Sequence, residues 1–411
     1  MTDKGPVSLV VLSHGLWGVK THMNYIKKKL LEKYKRSIIV LNIDVNEAKY
    51  TYDGIDICGE RAAQQIEGTL RQLEKMNRKV EKISMIGYSL GGLILRYAIG
   101  ILGKRGIFDQ IKPEYFITFA TPHLGVRLPD NNLISRIFNF FSGKFVSHSG
   151  EQLQLRDDKS LLQLLSDPGE DYFKYLARFK VRRSYANIAN DRTVPYWTAG
   201  IESMDYFYKS KGKLDITLDE KYTSIITGFD LKLDNSKKTK KKGGIKWKMA
   251  VLYLLLPILG PLFLLFGMIV IIFQGLLSRY RVSRHLSSQP LLKDDEEQFM
   301  KGDILAGALD IINLSPDDDD DTPNIVSLNT SGDTYSHAEP SAALKEKSKP
   351  LPLNETARRI HDNLTLLEWE RVWVYLNVFN AHGTIVCRQH IHTTQEGEAT
   401  IQHFLNTTQF Q

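Results

Sequence analysis

The chain is poor in cysteine: only Cys58 and Cys387 occur among its 411 residues. Two cysteines so far apart exclude a disulfide framework and the paired spacing of a cysteine metal site, and they fit a reducing compartment. The apolar run near the first residue is too short for a signal peptide, so we expect none. The chain also lacks an internal repeat.

The charge of the chain is only mildly unbalanced, with 54 basic against 47 acidic residues and a formal net charge of +7. Seven lysines are concentrated between residues 237 and 248. Trp247 is the one aromatic residue in this run, whereas proteins that bind single-stranded nucleic acids interleave stacking aromatics with their basic groups. The pattern therefore argues against a nucleic-acid partner and favours a membrane surface.

The first 230 or so residues alternate between strand-like and helix-like segments. In chain order these are a strand at Ser8–Ser13, a helix at Met23–Tyr34, a strand at Ser37–Ile43, a helix at Asp56–Met76, strand and helix around residue 89, and a strand at Tyr115–Phe119. Alternation of this kind predicts an α/β fold in which helices cover a mostly parallel sheet.

The stretch GYSLG at residues 87–91 lies between two such segments. Ile83–Ile86 is short and apolar like a buried strand, and Leu90–Leu102 has apolar residues at helical spacing. A strand, a tight G-x-S-x-G turn and a helix together are typical of a nucleophile elbow, which predicts Ser89 as a nucleophile. Gly87 and Gly91 would be needed because side chains there would collide with the neighbouring strand or helix. The alternative is an ordinary serine in a turn.

A serine nucleophile needs a histidine base and an acid that orients it, in the chain order serine, acid, histidine. Asp191, in SYANIANDRTVPYW, follows a strand-like stretch, although it also fits a solvated turn. His382 fits the base because it lies in the first loop after a predicted strand at Val372–Val378. The nearby alternatives are His390, His392 and His403.

Backbone amides should stabilise the oxyanion formed during attack on an ester carbonyl. One is predicted to be the N–H of Leu90, directly after the nucleophile. The other is predicted to be the N–H of Leu16, in the early loop LSHGLWG, where Gly15 and Gly18 let the backbone approach a substrate. This chemistry requires no metal and no organic cofactor, and we expect neither.

Met249–Leu277 contains 29 residues and no charge. A straight helix of that length measures about 43 Å, enough for a tilted transmembrane span. Pro257, Gly260 and Pro261 near its middle instead favour a reversal of the chain. If Ser89 and Asp191 before the segment meet His382 after it, both ends lie on one side of the membrane, and a hairpin in one leaflet is predicted. A buried pair of core helices is the alternative.

These features predict four parts of the chain. Residues 1–235 form the first part of an α/β core with nucleophile and acid, and residues 236–286 form a basic-flanked apolar hairpin. Residues 287–352, which include five consecutive aspartates, form a disordered linker, and residues 353–411 complete the core with the catalytic histidine. Within the first part, Leu133–Val146 is predicted as a core helix or as a lid over the site.

Five motifs in order carry a family resemblance. They are VVLSHGLWG, MIGYSLGGLILRYAIG, FITFATPHLGVR, NDRTVPY and WERVWVYLNVFNAHGTIVCR, within residues 7–200 and 364–405. Together they resemble the DUF676 group of serine esterases and are similar to its fungal lipid-droplet phospholipase branch. Family members often have an acidic residue before the histidine, whereas Asn380 and Ala381 stand there in this chain.

The resemblance implies an α/β-hydrolase fold with Ser89 as nucleophile, Asp191 as acid and His382 as base. It implies a lipase or phospholipase that cleaves acyl esters of glycerophospholipids at a lipid-droplet surface, or at the cytosolic face of the endoplasmic reticulum. A neutral-lipid lipase, a protein depalmitoylase and a catalytically inert scaffold on lipid droplets are alternatives. The expected partners are the acyl-lipid substrate and a membrane or lipid-droplet monolayer.

Overall fold

The computed structural model describes residues 6–126, 147–158, 160–207, 214–231, 324–329 and 338–410, together with positions 269, 273, 275–278, 280 and 281. The strands are β1 (Val7–Ser13), β2 (Ile38–Asn42), β3 (Val80–Tyr88), β4 (Lys112–Phe119), β5 (Val181–Asn187), β6 (Met204–Asp205), β7 (Leu214–Asp219), β8 (Ile226–Leu231), β9 (Asn324–Asn329), β10 (Lys349–Pro350) and β11 (Glu370–Val374).

The α-helices are α1 (Asn24–Tyr34), α2 (Ile55–Lys75), α3 (Leu90–Lys104), α4 (Ile107–Gln110), α5 (His148–Leu153), α6 (Leu161–Leu164), α7 (Asp171–Ala177), α8 (Tyr196–Ala199), α9 (Ala342–Lys347), α10 (Glu355–Leu364), α11 (Ala381–Thr384) and α12 (Gln395–Asn406). Short 3-10 helices occur at Lys20–Met23, Ala48–Tyr52 and His390–His392.

Six strands form the central sheet in the order β2-β1-β3-β4-β5-β11, and every neighbouring pair is parallel. The predicted fold class with a mostly parallel sheet is confirmed. The chain moves outward in opposite directions from β1 and β3, so the crevice at their carboxyl ends is a topological switch point, where open α/β sheets bind ligands.

Helices cover both faces of this sheet. On one face α2 and α3 bury apolar residues such as Ile66 and Leu93 against β1 and β3. On the other face α1, with Leu30 buried, packs against β2 and α12, and Phe404 of α12 contacts Phe119 of β4. The C-terminal residues thus complete the same core as the N-terminal ones, because β11 pairs with β5 in register from Glu370 with Arg183.

The strand predicted at Val372–Val378 is shifted: β11 runs from Glu370 to Val374. It ends there because the next amides leave the ladder. The N–H of Tyr375 donates to the carbonyl of Ser224, and the N–H of Leu376 donates to the side chain of Asn187.

A smaller sheet, in the order β8-β7-β9, packs beside β11 around a third apolar cluster, in which Phe207 contacts both Trp373 and Phe229. Parts of this region fall inside the segment predicted as a disordered linker, residues 287–352. That prediction is wrong for residues 324–329, which form β9, and for residues 338–352. In that stretch Ala338, Leu344 and Leu351 are buried. The sequence did not indicate this burial, because the residues around these three are mostly polar.

Two predicted segments lie wholly or mostly outside the described residues. Leu133–Val146 is not described, and Met249–Leu277 is described only at positions 269, 273 and 275–277. Among the helices of the described ranges, none combines the length and the apolar character that a membrane crossing needs.

Candidate active site

Ser89 lies on the sharp turn between β3 and α3. Its backbone has φ 54° and ψ −129°, a strained combination for a residue with a side chain. Two hydrogen bonds hold it there: the N–H of Ser89 donates to the carbonyl of Phe119 at 2.9 Å, and the hydroxyl of Thr121 donates to the carbonyl of Ser89 at 2.9 Å. The turn presents the Ser89 hydroxyl at the carboxyl edge of the sheet.

The glycines around Ser89 are explained by close backbone approaches. A Cβ atom at Gly87 would lie 2.3 Å from the Cα atom of Gly92 in the following helix. A Cβ atom at Gly91 would lie 2.3 Å from the carbonyl oxygen of Ser13 at the end of β1. Any side chain at either position would therefore push the helix off the sheet.

The structure brings Ser89, Asp191 and His382 together. The Nε2 atom of His382 is 3.0 Å from the Oγ atom of Ser89, and its Nδ1 atom is 2.9 Å from the Oδ2 atom of Asp191. The Asp191 carboxylate can only accept, so Nδ1 carries the proton and Nε2 is free to accept one from the serine. The side chains of His382 and Asp191 are 10% and 2% exposed, so water competes little for these bonds.

Asp191 is held by its own turn. Its second carboxylate oxygen, Oδ1, accepts hydrogen bonds from the N–H groups of Thr193 and Val194 at 3.0 and 2.8 Å. Asp191 therefore closes a turn, which was the alternative role considered for it from the sequence, and it also contacts His382. These bonds fix the carboxylate plane toward His382.

The loops that carry the acid and the histidine are tied to each other. The Oδ1 atom of Asn187, at the end of β5, accepts from the N–H of Leu376, just after β11, at 2.8 Å. One residue before Asp191, the side chain of Asn190 donates to Asn377 at 2.6 Å. These bonds set the spacing between two loops nearly 190 residues apart in the chain.

Asn380, His392 and Tyr88 support His382 in ways that were not predicted from the sequence. Asn380 caps α11 by accepting from the N–H of Gly383 at 3.0 Å, and its amide lies 2.9 Å from the Nε2 atom of His392. The hydroxyl of Tyr88 donates to the carbonyl of His382 at 3.0 Å, with the two rings 5.0 Å apart. The available signal was positional: Tyr88 is the residue between Gly87 and the serine in the elbow motif, and Asn380 lies two residues before His382.

The other candidate histidines have different surroundings. His392 contacts Asn380, and His390 is exposed on the short 3-10 helix beside it. His403 lies 3.0 Å from the hydroxyl of Tyr185 in the core, where burial lowers its pKa to about 3. In the described part of the structure, none of these three histidines contacts Ser89.

The early loop with Gly15 and Leu16 runs directly past the serine. A Cβ atom at Gly15 would lie 2.6 Å from the Cβ atom of Ser89. The carbonyl of Gly15 accepts from the N–H of Gly18 at 3.0 Å and lies 3.1 Å from the Nδ1 atom of His14. Burial lowers the pKa of His14 to about 4, so its ring is neutral at pH 7 and donates from Nδ1.

This arrangement matters for Leu16 because its N–H belongs to the same peptide unit as the Gly15 carbonyl. In a trans peptide these two groups point in opposite directions, so bonds that hold the carbonyl also aim the amide. The N–H of Leu90 is the first of helix α3, where the positive end of the helix dipole lies. Within the described residues, neither amide has an acceptor in the protein. Their role as oxyanion donors stays a prediction.

The described ranges contain no cluster of three or more histidine, cysteine or acidic side chains that would hold a metal ion. Both cysteines are buried and free, and burial raises the pKa of each thiol, for Cys387 to about 12. Neither thiol is ionised near neutral pH, so neither is an activated nucleophile.

Residues 3–204 match the family described as "Putative serine esterase (DUF676)". Among similar proteins, "Putative lipase ROG1" of Saccharomyces cerevisiae is 35% identical over 209 residues, which are 48% of this chain and 29% of that protein. "Putative lipase C4A8.10" of Schizosaccharomyces pombe is 29% identical over 206 residues, 47% of this chain and 26% of that protein. The chain thus spans less than a third of the length of these relatives.

Solved structures with a partial likeness include carboxyl esterase 2 from the fungus Tuber melanosporum. It is 15% identical with a TM-score of 0.30, over 44% of this chain and 58% of that one. The lin2722 product of Listeria innocua is 16% identical with a TM-score of 0.29, over 47% and 77%.

Proposed function

We propose, starting from the match of residues 3–204 to the DUF676 serine esterase family, that this protein is a lipase that cleaves acyl esters of glycerophospholipids. The observation that carries the proposal is the continuous hydrogen-bonded chain from Ser89 through His382 to Asp191, at 3.0 and 2.9 Å, with the serine on a strained elbow. A nucleophile, a base and an orienting acid in this geometry support covalent acyl transfer.

In the proposed reaction the Oγ atom of Ser89 attacks the ester carbonyl while Nε2 of His382 takes its proton. The Asp191 carboxylate stabilises the imidazolium that forms. The N–H groups of Leu16 and Leu90 bind the oxyanion of the tetrahedral intermediate. His382 then protonates the leaving alcohol, here a lysophospholipid, and the acyl group stays on Ser89. Water, deprotonated by His382, releases the fatty acid by the reverse sequence.

The surroundings of His382 support a lipid substrate. Phe379 and Ile391 are 61% and 78% exposed. Each is next to one member of the hydrogen-bonded pair Asn380 and His392, so two large apolar side chains flank the loop that carries the base. Exposed apolar residues beside a catalytic group suit the acyl chains of a lipid better than a small water-soluble ester.

The position of the apolar segment in the chain supports attachment to one face of a membrane. Ser89 and Asp191 precede residues 249–277 and His382 follows them, yet the three side chains meet in one body. The chain must therefore return to the side from which it left. The seven lysines before the segment would contribute roughly 1 kcal/mol each on an anionic lipid surface. A lipid-droplet monolayer, or the cytosolic face of the endoplasmic reticulum, is the proposed location.

The test uses purified full-length protein with a panel of phospholipids, a triacylglycerol and a thioester in detergent micelles. We expect fatty-acid release from phospholipid by the wild type and its loss in Ser89→Ala, by about 10⁴-fold or more. His390→Ala is the matched control, because this exposed histidine does not contact Ser89, and it should keep wild-type activity.

A fluorophosphonate probe separates the remaining outcomes. Labelling of the wild type but not of Ser89→Ala, without phospholipid hydrolysis, would keep the serine hydrolase and reject the phospholipid substrate. Absence of both labelling and hydrolysis would reject the enzyme and favour a scaffold.

A further inference from the structure

Asp53 forms a buried charged cluster outside the candidate active site. Its side chain is fully buried, and its two carboxylate oxygens accept from Arg61 at 2.9 Å, Ser278 at 2.8 Å and Arg281 at 2.9 Å. Arg281 also donates to the carbonyl of Lys49 at 3.0 Å. A buried carboxylate is costly unless it is paired and hydrogen-bonded, so this cluster holds the residues around 278–281 firmly to the body.

Ser278 and Arg281, which are held in this way, directly follow the apolar segment Met249–Leu277. Helical conformation is described at positions 269, 273, 275–278, 280 and 281. At about 100° per residue, Ile269, Phe273, Leu276 and Tyr280 fall within roughly 60° of arc, so they share one face. They are between 55% and 61% exposed. Ser278 lies on the opposite side of the helix, which is the side bound to Asp53.

Large exposed apolar side chains are few in the part of the chain that the structure describes. The described residues contain nine such side chains, and four of them are on this one face, defined here as the 269–280 face. Scattered exposed apolar residues are normal, whereas a contiguous stripe marks an interaction surface. Arg281 is paired with Asp53, and the other charges that directly follow this stretch in the sequence are basic, at Arg279 and Arg284. An apolar stripe flanked by basic residues complements an anionic lipid surface.

A short path of contacts joins the Asp53 cluster to the candidate active site. Asp53 directly follows the 3-10 helix Ala48–Tyr52. Within that helix the hydroxyl of Thr51 accepts from the N–H of Trp17 at 2.9 Å, and the N–H of Ala48 donates to the carbonyl of Gly18 at 2.8 Å. Trp17 follows Leu16, whose amide is a predicted oxyanion donor. The 269–280 face is thus held at a set orientation to the site.

We propose that the 269–280 face binds an anionic lipid surface and that the Asp53 cluster clamps it to the hydrolase body, so that the active site is oriented toward the lipid on which the protein sits. This inference rests on the proposed function for its catalytic part only. The clamp should matter for hydrolysis of lipid in a bilayer and not for hydrolysis of a soluble ester, which reaches the site by diffusion.

The binding arm uses full-length protein and sedimentation with vesicles of phosphatidylcholine, with and without phosphatidylserine. The double variant Phe273→Gln/Leu276→Gln should bind the anionic vesicles at least about tenfold more weakly than the wild type. Met76→Gln/Leu366→Gln, at two exposed apolar positions elsewhere on the body, is the matched control and should bind like the wild type. Equal vesicle binding by all three proteins would overturn the proposal. Loss of self-association in the double variant, with vesicle binding retained, would overturn it as well.

The clamp arm compares Arg281→Met and the milder Ser278→Ala with Arg359→Met, which breaks only an exposed ion pair. Arg281→Met should still sediment with vesicles and should hydrolyse a soluble short-chain ester normally, which also shows that it is folded. Its release of fatty acid from vesicle lipid should fall at least about tenfold. Wild-type rates on vesicles in both clamp variants would refute the clamp.

The two proposals fail separately. Ser89→Ala should bind vesicles like the wild type, because the binding assay needs no catalysis. If no ester is hydrolysed by any variant, the proposed function fails while the sedimentation result still decides the role of the 269–280 face.

Discussion

Gly15 provides a demanding test of the site, because its substitution would act on the serine by contact alone. A Cβ atom at residue 15 would lie 2.6 Å from the Cβ atom of Ser89 and 3.1 Å from its Oγ atom. Ordinary contacts of a Cβ atom begin near 3.4 Å. Gly15→Ala must therefore move the loop or the serine by about 1 Å, and the serine is already fixed by Phe119 and Thr121.

The size of the effect follows from that displacement. A misplacement of about 1 Å at a reacting group lowers a rate on the order of 100-fold. The loop carries the Leu16 amide, so moving the loop instead would weaken an oxyanion donor, with a loss of similar or larger size. Overpacking of this kind destabilises a fold by about 1–3 kcal/mol, which an α/β core of this size tolerates.

The assay measures kcat/KM for a soluble ester together with thermal unfolding. Gly68→Ala is the matched control: it lies inside α2, and a Cβ atom there would meet no atom within 4 Å. It should leave activity unchanged and raise stability by about 0.5–1 kcal/mol. Wild-type kcat/KM in folded Gly15→Ala would contradict the placement of this loop against the nucleophile.

Two further predictions concern buried histidines. His14→Leu should lower kcat about tenfold with little change in KM, because the Gly15 carbonyl loses a donor that aims the Leu16 amide. His14→Asn, whose amide replaces Nδ1, should restore much of the rate, and equal kcat in both variants would exclude this role. Burial lowers the pKa of His22 to about 3, below the usual 6.5, so the unfolded chain binds the extra proton as pH falls below about 6.5. The free energy of unfolding should then fall by up to about 1.4 kcal/mol per pH unit because of this residue. Urea unfolding at several pH values should show that His22→Gln removes this dependence. If the free energy of unfolding depends on pH equally in wild type and variant, His22 is not buried as described.

The alternation of apolar and amphipathic segments was sufficient to predict the α/β class and, for the elements predicted up to residue 119, their boundaries to within a few residues. It succeeded because the strands of a parallel sheet are buried on both faces and are therefore continuously apolar. The pattern was weakest where tertiary hydrogen bonds end a strand, as those of Tyr375 and Leu376 end β11, and where isolated apolar residues anchor a polar segment, as Leu344 does.

The sequence by itself determined which residue types stand at the candidate site, because the elbow glycines, the serine and the loop residues are local features. Only the tertiary structure decided that Asp191 and His382 meet Ser89, since pairing of β11 with β5 brings together loops nearly 190 residues apart. The supporting contacts of Tyr88, Asn380 and His14 depend on the same packing. So does the burial of Asp53 against Ser278 and Arg281, because a hydrogen bond needs a distance and an angle that no spacing along the chain specifies.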